Sequence, residues 1–158
     1  MNNIVVEPYF LKNNFCPQEK RLSTIFGIIY GVEKVLTQET GVIGEEIACR
    51  YLVKHGYVVV GRNYRKKCGE IDVITEKSGK LCFVEVKSVA RAFNPKAQGY
   101  RPEDNLHMFK IRRLCKTIEI YLQEKNRREE EWNLHGVIVF LDKETKTAHV
   151  RLIENINI

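Results

Sequence analysis

The sequence predicts one α/β domain, with elements in the order helix, three strands, helix, two strands. Three observations carry this expectation. Apolar residues recur at helical spacing in two stretches, one from Ile43 to Leu52 and one along the segment Glu103 to Gln123. Strand-like runs lie between and after them: Tyr57 to Val60, Glu70 to Thr75, Leu81 to Lys87, Val137 to Leu141 and Ala148 to Ile153. No glycine-rich phosphate loop accompanies these strands, which leaves P-loop and Rossmann organisations without support. A chain of 158 residues holds one such domain with an appended element.

Residues 1–21 have no clear period and contain Pro8 and Pro17, so an irregular lead-in is expected. Ile25, Ile28, Ile29, Val32, Val35 and Leu36 then share one helical face. Gly27 and Gly31 weaken that helix, so it needs a surface to pack on, as an accessory helix or a dimer contact. We assign residues 1–39 to an N-terminal extension and 40–158 to the main domain. From Thr40 a second stripe (Ile43, Ile47, Ala48, Tyr51, Leu52) predicts a helix that Gly56 terminates. Glu45 and Glu46 fall in its expected first turn, where the helix dipole favours anions. The polar run Gly61 to Lys67 is expected to lead from the first strand into the next two, which Ser78-Gly79 joins as a hairpin. A loop over residues 88–102 precedes the long helix, and Glu124 to Glu131 is a solvated connection to the last two strands.

The 26 Lys and Arg against 20 Asp and Glu leave a net charge of +6. That excess is local: residues 60–116 carry fourteen cations against six anions, while the flanking parts are neutral or slightly acidic. An anion-binding surface in this segment is the expectation, with a merely solvated face as the rival. The five cysteines are odd in number, irregularly spaced and without a C-x-x-C pair, so a zinc site is not indicated. Reduced thiols in a cytoplasmic protein are expected. The longest apolar stretch, Leu22 to Leu36, is interrupted by Glu33 and Lys34 and is too short to span a bilayer.

The hairpin carries the chemistry. Alternation puts Glu70, Asp72 and Ile74 on one face of the first strand, with Ile71 and Val73 on the other. On the second strand Glu85 shares a face with Phe83 and Lys87. A two-residue Ser78-Gly79 loop would set Asp72 opposite Glu85, and Glu70 opposite Lys87. Like charges placed so destabilise a sheet unless water or a cation separates them. Both faces of these strands are otherwise apolar, which fits a central strand and favours a divalent cation between Asp72 and Glu85. Mg2+ suits two carboxylates and several waters, and Lys87 could orient an attacking water or offset charge on a phosphate. On the long helix Lys110 and Arg113 fall within the arc of Leu106, Phe109, Leu114 and Tyr121, while Arg112 and Lys116 face away. The two inner cations either snorkel past the sheet edge or look into the cleft beside Glu85.

The strings Gly44-Glu45 with Ala48, Arg62-Asn63-Tyr64-Arg65, Gly69-Glu70-Ile71-Asp72 and Phe83-Val84-Glu85-Val86-Lys87 together resemble the uncharacterised YraN-like family. That family is grouped with the restriction-endonuclease-like PD-(D/E)xK nucleases, which include Holliday-junction resolvases. The likeness runs from about Gly41 to Leu122, more weakly to the end, and leaves out residues 1–40. It implies a restriction-endonuclease-like mixed β-sheet flanked by helices, with Asp72 and Glu85 as Mg2+ ligands, Glu45 as a third acid near the metal, and Lys87 as the catalytic lysine. Lys110 matches a family lysine, and Glu70 belongs to the same motif. Two departures concern secondary phosphate contacts. Val89 stands where relatives tend to have arginine, with Arg91 displaced, and Leu134-His135-Gly136 stands where they often carry Arg-x-Asp.

The leading expectation is an Mg2+-dependent endonuclease acting on DNA, with a branched or repair intermediate as candidate substrate. Arg62, Arg65, Lys66, Lys67, Lys110 and Arg113 would hold phosphates without reading bases. The rivals are a nucleic-acid-binding module of the same fold without turnover, and a protein-interaction subunit docking through residues 25–36. A homodimer is a candidate assembly, because many nucleases of the superfamily act as dimers.

Overall fold

The computed structural model describes residues 4–6, 33–90, 108–128, 130–142 and 144–156. In chain order the elements are β1 (Ile4–Val6), α1 (Glu33–Lys54), β2 (Val58–Lys66), β3 (Gly69–Lys77), β4 (Lys80–Val89), α2 (Met108–Glu124), β5 (Trp132–Asp142) and β6 (Thr147–Ile153). The strands make one sheet in the order β1-β6-β5-β4-β3-β2. Only β4 and β5 run parallel; every other pair is antiparallel. This mixed sheet, with α1 on one face and α2 on the other, is compatible with a restriction-endonuclease-like fold.

Alternation on β4 builds both cores. Cys82 and Val84 meet Ala48, Tyr51 and Leu52 of α1 together with Val137, Val139 and Val150. Leu81 and Phe83 meet Leu114, Ile118 and Tyr121 of α2 together with Ile74 and Leu134. The strand is buried on both faces and central in the sheet, as its two-sided apolar pattern implies. Ser78 and Gly79 both take positive φ (53° and 75°), so the β3–β4 connection is the expected tight turn.

Several elements differ from the sequence expectation. α1 is continuous from Glu33, so it spans the division at Thr40, and its glycines do not interrupt it. Glu45 and Glu46 therefore sit mid-helix, and the helix dipole does not account for them. Gly44 has its own reason: a Cβ there would fall 1.7 Å from Ser88 Oγ, so the glycine lets α1 cross β4 at close range. The run Gly61 to Lys66 is not a link but part of β2, since an edge strand can carry polar side chains outward. A short strand, Ile4–Val6, lies within the supposed lead-in and pairs with β6. Residues 25–32 and 91–107, with the first part of the predicted long helix, lie outside the described residues.

Candidate active site

The site begins where the β3–β4 ladder ends. The expected register holds from Lys77↔Lys80 to Val73↔Val84, and the ladder stops there. Asp72 and Glu85 occupy the next position out. Instead of a backbone rung, the Asp72 carboxylate accepts a hydrogen bond from the Val86 amide, 2.7 Å from Oδ2. The expected pairing of Glu70 with Lys87, further along, does not form.

Simple alternation fails at this point. Val73 packs beneath α1, whereas Ile71, two residues away, packs beneath α2 with Ile74. The neighbouring strand changes face at the same place: Arg62, paired with Val73, reaches Glu46 of α1, while Tyr64, paired with Ile71, meets Tyr121 of α2. Asn63 lies between them with φ of 50°, a left-handed conformation that asparagine tolerates better than most residues. The face change on both strands releases Asp72 from either core and leaves its carboxylate to meet β4.

Glu85 keeps its place in the β4 alternation and faces α2. It is 5% exposed, and its Oε1 is ion-paired with Lys110 Nζ. Burial, and secondly the Glu85 charge, push the Asp72 carboxyl up to about 7; Glu45 adds to the rise, while the Val86 amide and Lys110 oppose it. Glu45 projects from α1 and is hydrogen-bonded to Asn63; burial holds its carboxyl above the usual range, against that bond and the Arg62 charge. Beside it, burial of Glu46 is outweighed by Arg50 and Arg62, which hold its carboxyl low.

The structure thus brings together Asp72, Glu85 and Lys110, with Glu45 in electrostatic range. Lys87 follows Glu85 by two residues and is exposed, with no contact to either carboxylate among the described residues. Most of the other cations proposed for phosphates have intramolecular partners. Arg62 pairs with Glu46 at 2.9 Å, Arg65 with Glu70 at 2.6 Å and Lys66 with Glu124 at 2.6 Å. Arg113 Nε donates to the Cys68 carbonyl at 2.8 Å, so of the two cations inside the α2 stripe only Lys110 looks into the cleft. Lys67 is exposed in the β2–β3 turn. The local charge excess is therefore offset in part by acids from α1, β3 and the end of α2.

His135 does not replace a phosphate contact. It is 3% exposed, its Nδ1 accepts the Asn155 amide at 3.1 Å, and its ring meets Tyr57 edge-on. Cys49, Cys68, Cys82 and Cys115 are free thiols. Asn63 is the site residue that the alternation argument passed over. Its signal was present as a turn-prone residue within the polar run Gly61 to Lys67.

The donor chemistry fits a hard divalent cation. Two carboxylates share a single ammonium, Lys110, just beyond the end of the β3–β4 ladder, one of them carries a raised pKa, and their oxygens are the ligands Mg2+ prefers. No group of three His, Cys, Asp or Glu side chains among the described residues is placed to hold a metal, so water would complete the shell of any ion held by Asp72 and Glu85.

A sequence profile described as "Uncharacterised protein family UPF0102" matches residues 44–139, which span Glu45, Asp72, Glu85, Lys87 and Lys110. The chain belongs to the UPF0102 family. UPF0102, or YraN-like, proteins are a PD-(D/E)xK nuclease-like family. A UPF0102 protein of Campylobacter lari is 36% identical over 118 residues, covering 74% of this chain and 92% of that one. One from Campylobacter concisus is 34% identical over 119 residues (75% and 93%). One from Caldicellulosiruptor saccharolyticus is 32% identical over 118 residues (75% and 96%). The UPF0102 chain has no helix, among its described residues, long and apolar enough to cross a membrane.

Proposed function

We propose that this UPF0102 protein is an Mg2+-dependent nuclease that hydrolyses phosphodiester bonds of DNA. The observation that carries the reading is the placement of Asp72 and Glu85 just beyond the end of the β3–β4 ladder, Glu85 buried and Asp72 half-buried, with one ammonium, Lys110, between two carboxylates. Membership of a nuclease-like family supports it.

Asp72 and Glu85 would hold the ion. A bound Mg2+ supplies Lewis acidity toward a phosphoryl oxygen and makes water more acidic. The Val86 amide keeps Asp72 turned toward β4 and fixes one side of the pocket. Exposed Lys87 can swing toward an incoming phosphate, where its ammonium orients the attacking water and offsets charge gathering on the phosphoryl oxygens. Arg65 on the outer strand and Lys67 in the turn that follows it are exposed enough to contact the flanking backbone.

The test is cleavage of duplex, single-stranded and junction DNA across a divalent titration, with Asp72→Asn alongside. The expected result is cleavage that needs the cation and disappears in the variant while DNA binding persists. One observation favours a second reading, a binding module without turnover: the Glu85 oxygen is occupied by an ammonium group. Binding that weakens steeply with salt, is indifferent to Asp72 and Glu85, and comes with no cleavage of any substrate would establish that reading instead.

A further inference from the structure

We propose that Lys110 competes with the divalent cation for Glu85. Its ammonium closes the pocket while no cation is bound, and is displaced toward the incoming phosphate when one enters. The inference rests on the nuclease reading of this site and adds how the site is filled.

The two partners of the ion pair are unlike in mobility. The Glu85 side chain is 5% exposed, whereas that of Lys110 is 54% exposed. A buried carboxylate without a partner is costly, so Glu85 retains an ammonium until another cation replaces it. Lys110 can leave, because its flexible stem is half in solvent and it projects from α2, not from the sheet that carries both acids. Its departure leaves the strand positions of Asp72 and Glu85 unchanged, and the Asp72 bond to the Val86 amide does not involve it. Ammonium and metal cannot share one carboxylate oxygen at close range, since their charges repel. Lys87 provides the contrast: it carries the same charge two residues beyond Glu85, without a contact to either acid among the described residues.

The experiment is calorimetric titration of Mn2+, a hard divalent probe, into the full chain without DNA. Wild type is compared with Lys110→Met, Lys110→Gln, Lys110→Arg and Lys87→Met. Lys110→Met and Lys110→Gln are expected to bind about fivefold to tenfold more tightly, the order for losing a competing, partly exposed ion pair. Lys110→Arg should stay near wild type, and Lys87→Met should change clearly less than Lys110→Met. Equal tightening in Lys87→Met and Lys110→Met would overturn the proposal, because it would reduce the effect to general charge. So would weaker binding in both Lys110→Met and Lys110→Gln. If neither wild type nor Lys110→Met takes up Mn2+, the nuclease reading falls too; if wild type binds and Lys110→Met binds no tighter, only the competition falls.

Discussion

Two glycines one turn apart in α1 should respond in opposite directions to the same substitution. A Cβ at Gly41 meets nothing within 4 Å, whereas one at Gly44 would lie 1.7 Å from Ser88 Oγ and 2.8 Å from Ser88 Cβ. The hydroxyl can rotate away, but the Ser88 Cβ is fixed to the β4 backbone. The helix would have to lift by about 1 Å to restore ordinary carbon–carbon separation. Ile47, Ala48, Tyr51 and Leu52 are each at most 5% exposed on that face, so a lift disturbs a filled core. Overpacking of this kind costs ~1–3 kcal/mol, against the ~1 kcal/mol that alanine gains over glycine in a helix. Gly41→Ala keeps that gain and should stabilise by ~0.5–1 kcal/mol. Urea denaturation measures the difference: with m of ~1–3 kcal/mol/M, the two midpoints should separate by roughly 1 M. Ser88→Gly removes both clashing atoms and should rescue Gly44→Ala in the double variant. Equal midpoints for the two alanine variants, or no rescue, would refute the close crossing that sets Glu45 over the sheet.

Other elements yield shorter predictions. Phe83 is fully buried between Tyr121 and Trp132, so Phe83→Ala should lose ~3–5 kcal/mol in urea denaturation. The Asp72 carboxyl is raised in the folded state, so its contribution to stability is greatest below the unfolded value and is lost as pH rises from about 4 to about 7. Asp72→Asn should remove that part of the pH dependence of the denaturation midpoint. The opposite sign applies to His135, whose pKa is lowered mainly by burial and whose Nδ1 must stay unprotonated to accept the Asn155 amide. Its contribution is present above the usual histidine range and lost as pH falls through the folded value. Once corrected for intrinsic rate, the Asn155 amide should lose protection from hydrogen exchange on acidification, and should show no such pH dependence in His135→Phe.

Much of the fold was legible because periodicity reports burial. The two-sided apolar run around Phe83 and Val84 placed β4 in the centre, and Ser78-Gly79 set the hairpin register through Val73↔Val84. What escaped was set by tertiary contact. The change of pattern at Thr40 suggested a new helix there, yet α1 runs on from Glu33 through Gly41 and Gly44, with Gly44 serving the Ser88 crossing. Three β-branched residues, Ile4 to Val6, are too few to signal a strand until β6 offers a partner. Gly61 to Lys66 is polar because β2 is an edge strand, where composition says little about extension. At the candidate site, local pattern singled out Asp72 and Glu85 but assigned Asp72 to a face. The left-handed Asn63 and the switch between Ile71 and Val73 instead turn it toward the Val86 amide. Pairing of the basic segment with Glu46, Glu70 and Glu124 was equally hidden, since partners so far apart in sequence leave no local trace.

Carbon-13 NMR of the Asp72 side-chain carboxyl tests the shared pocket most directly, followed through a pH titration in wild type and Glu85→Gln, with and without Mg2+. The signal should titrate near 7 in wild type, move toward the normal aspartate range when the Glu85 charge is removed, and fall further when Mg2+ is added to wild type. An Asp72 that titrates near 4, unmoved by the substitution or the ion, would contradict a common cation site for the two acids.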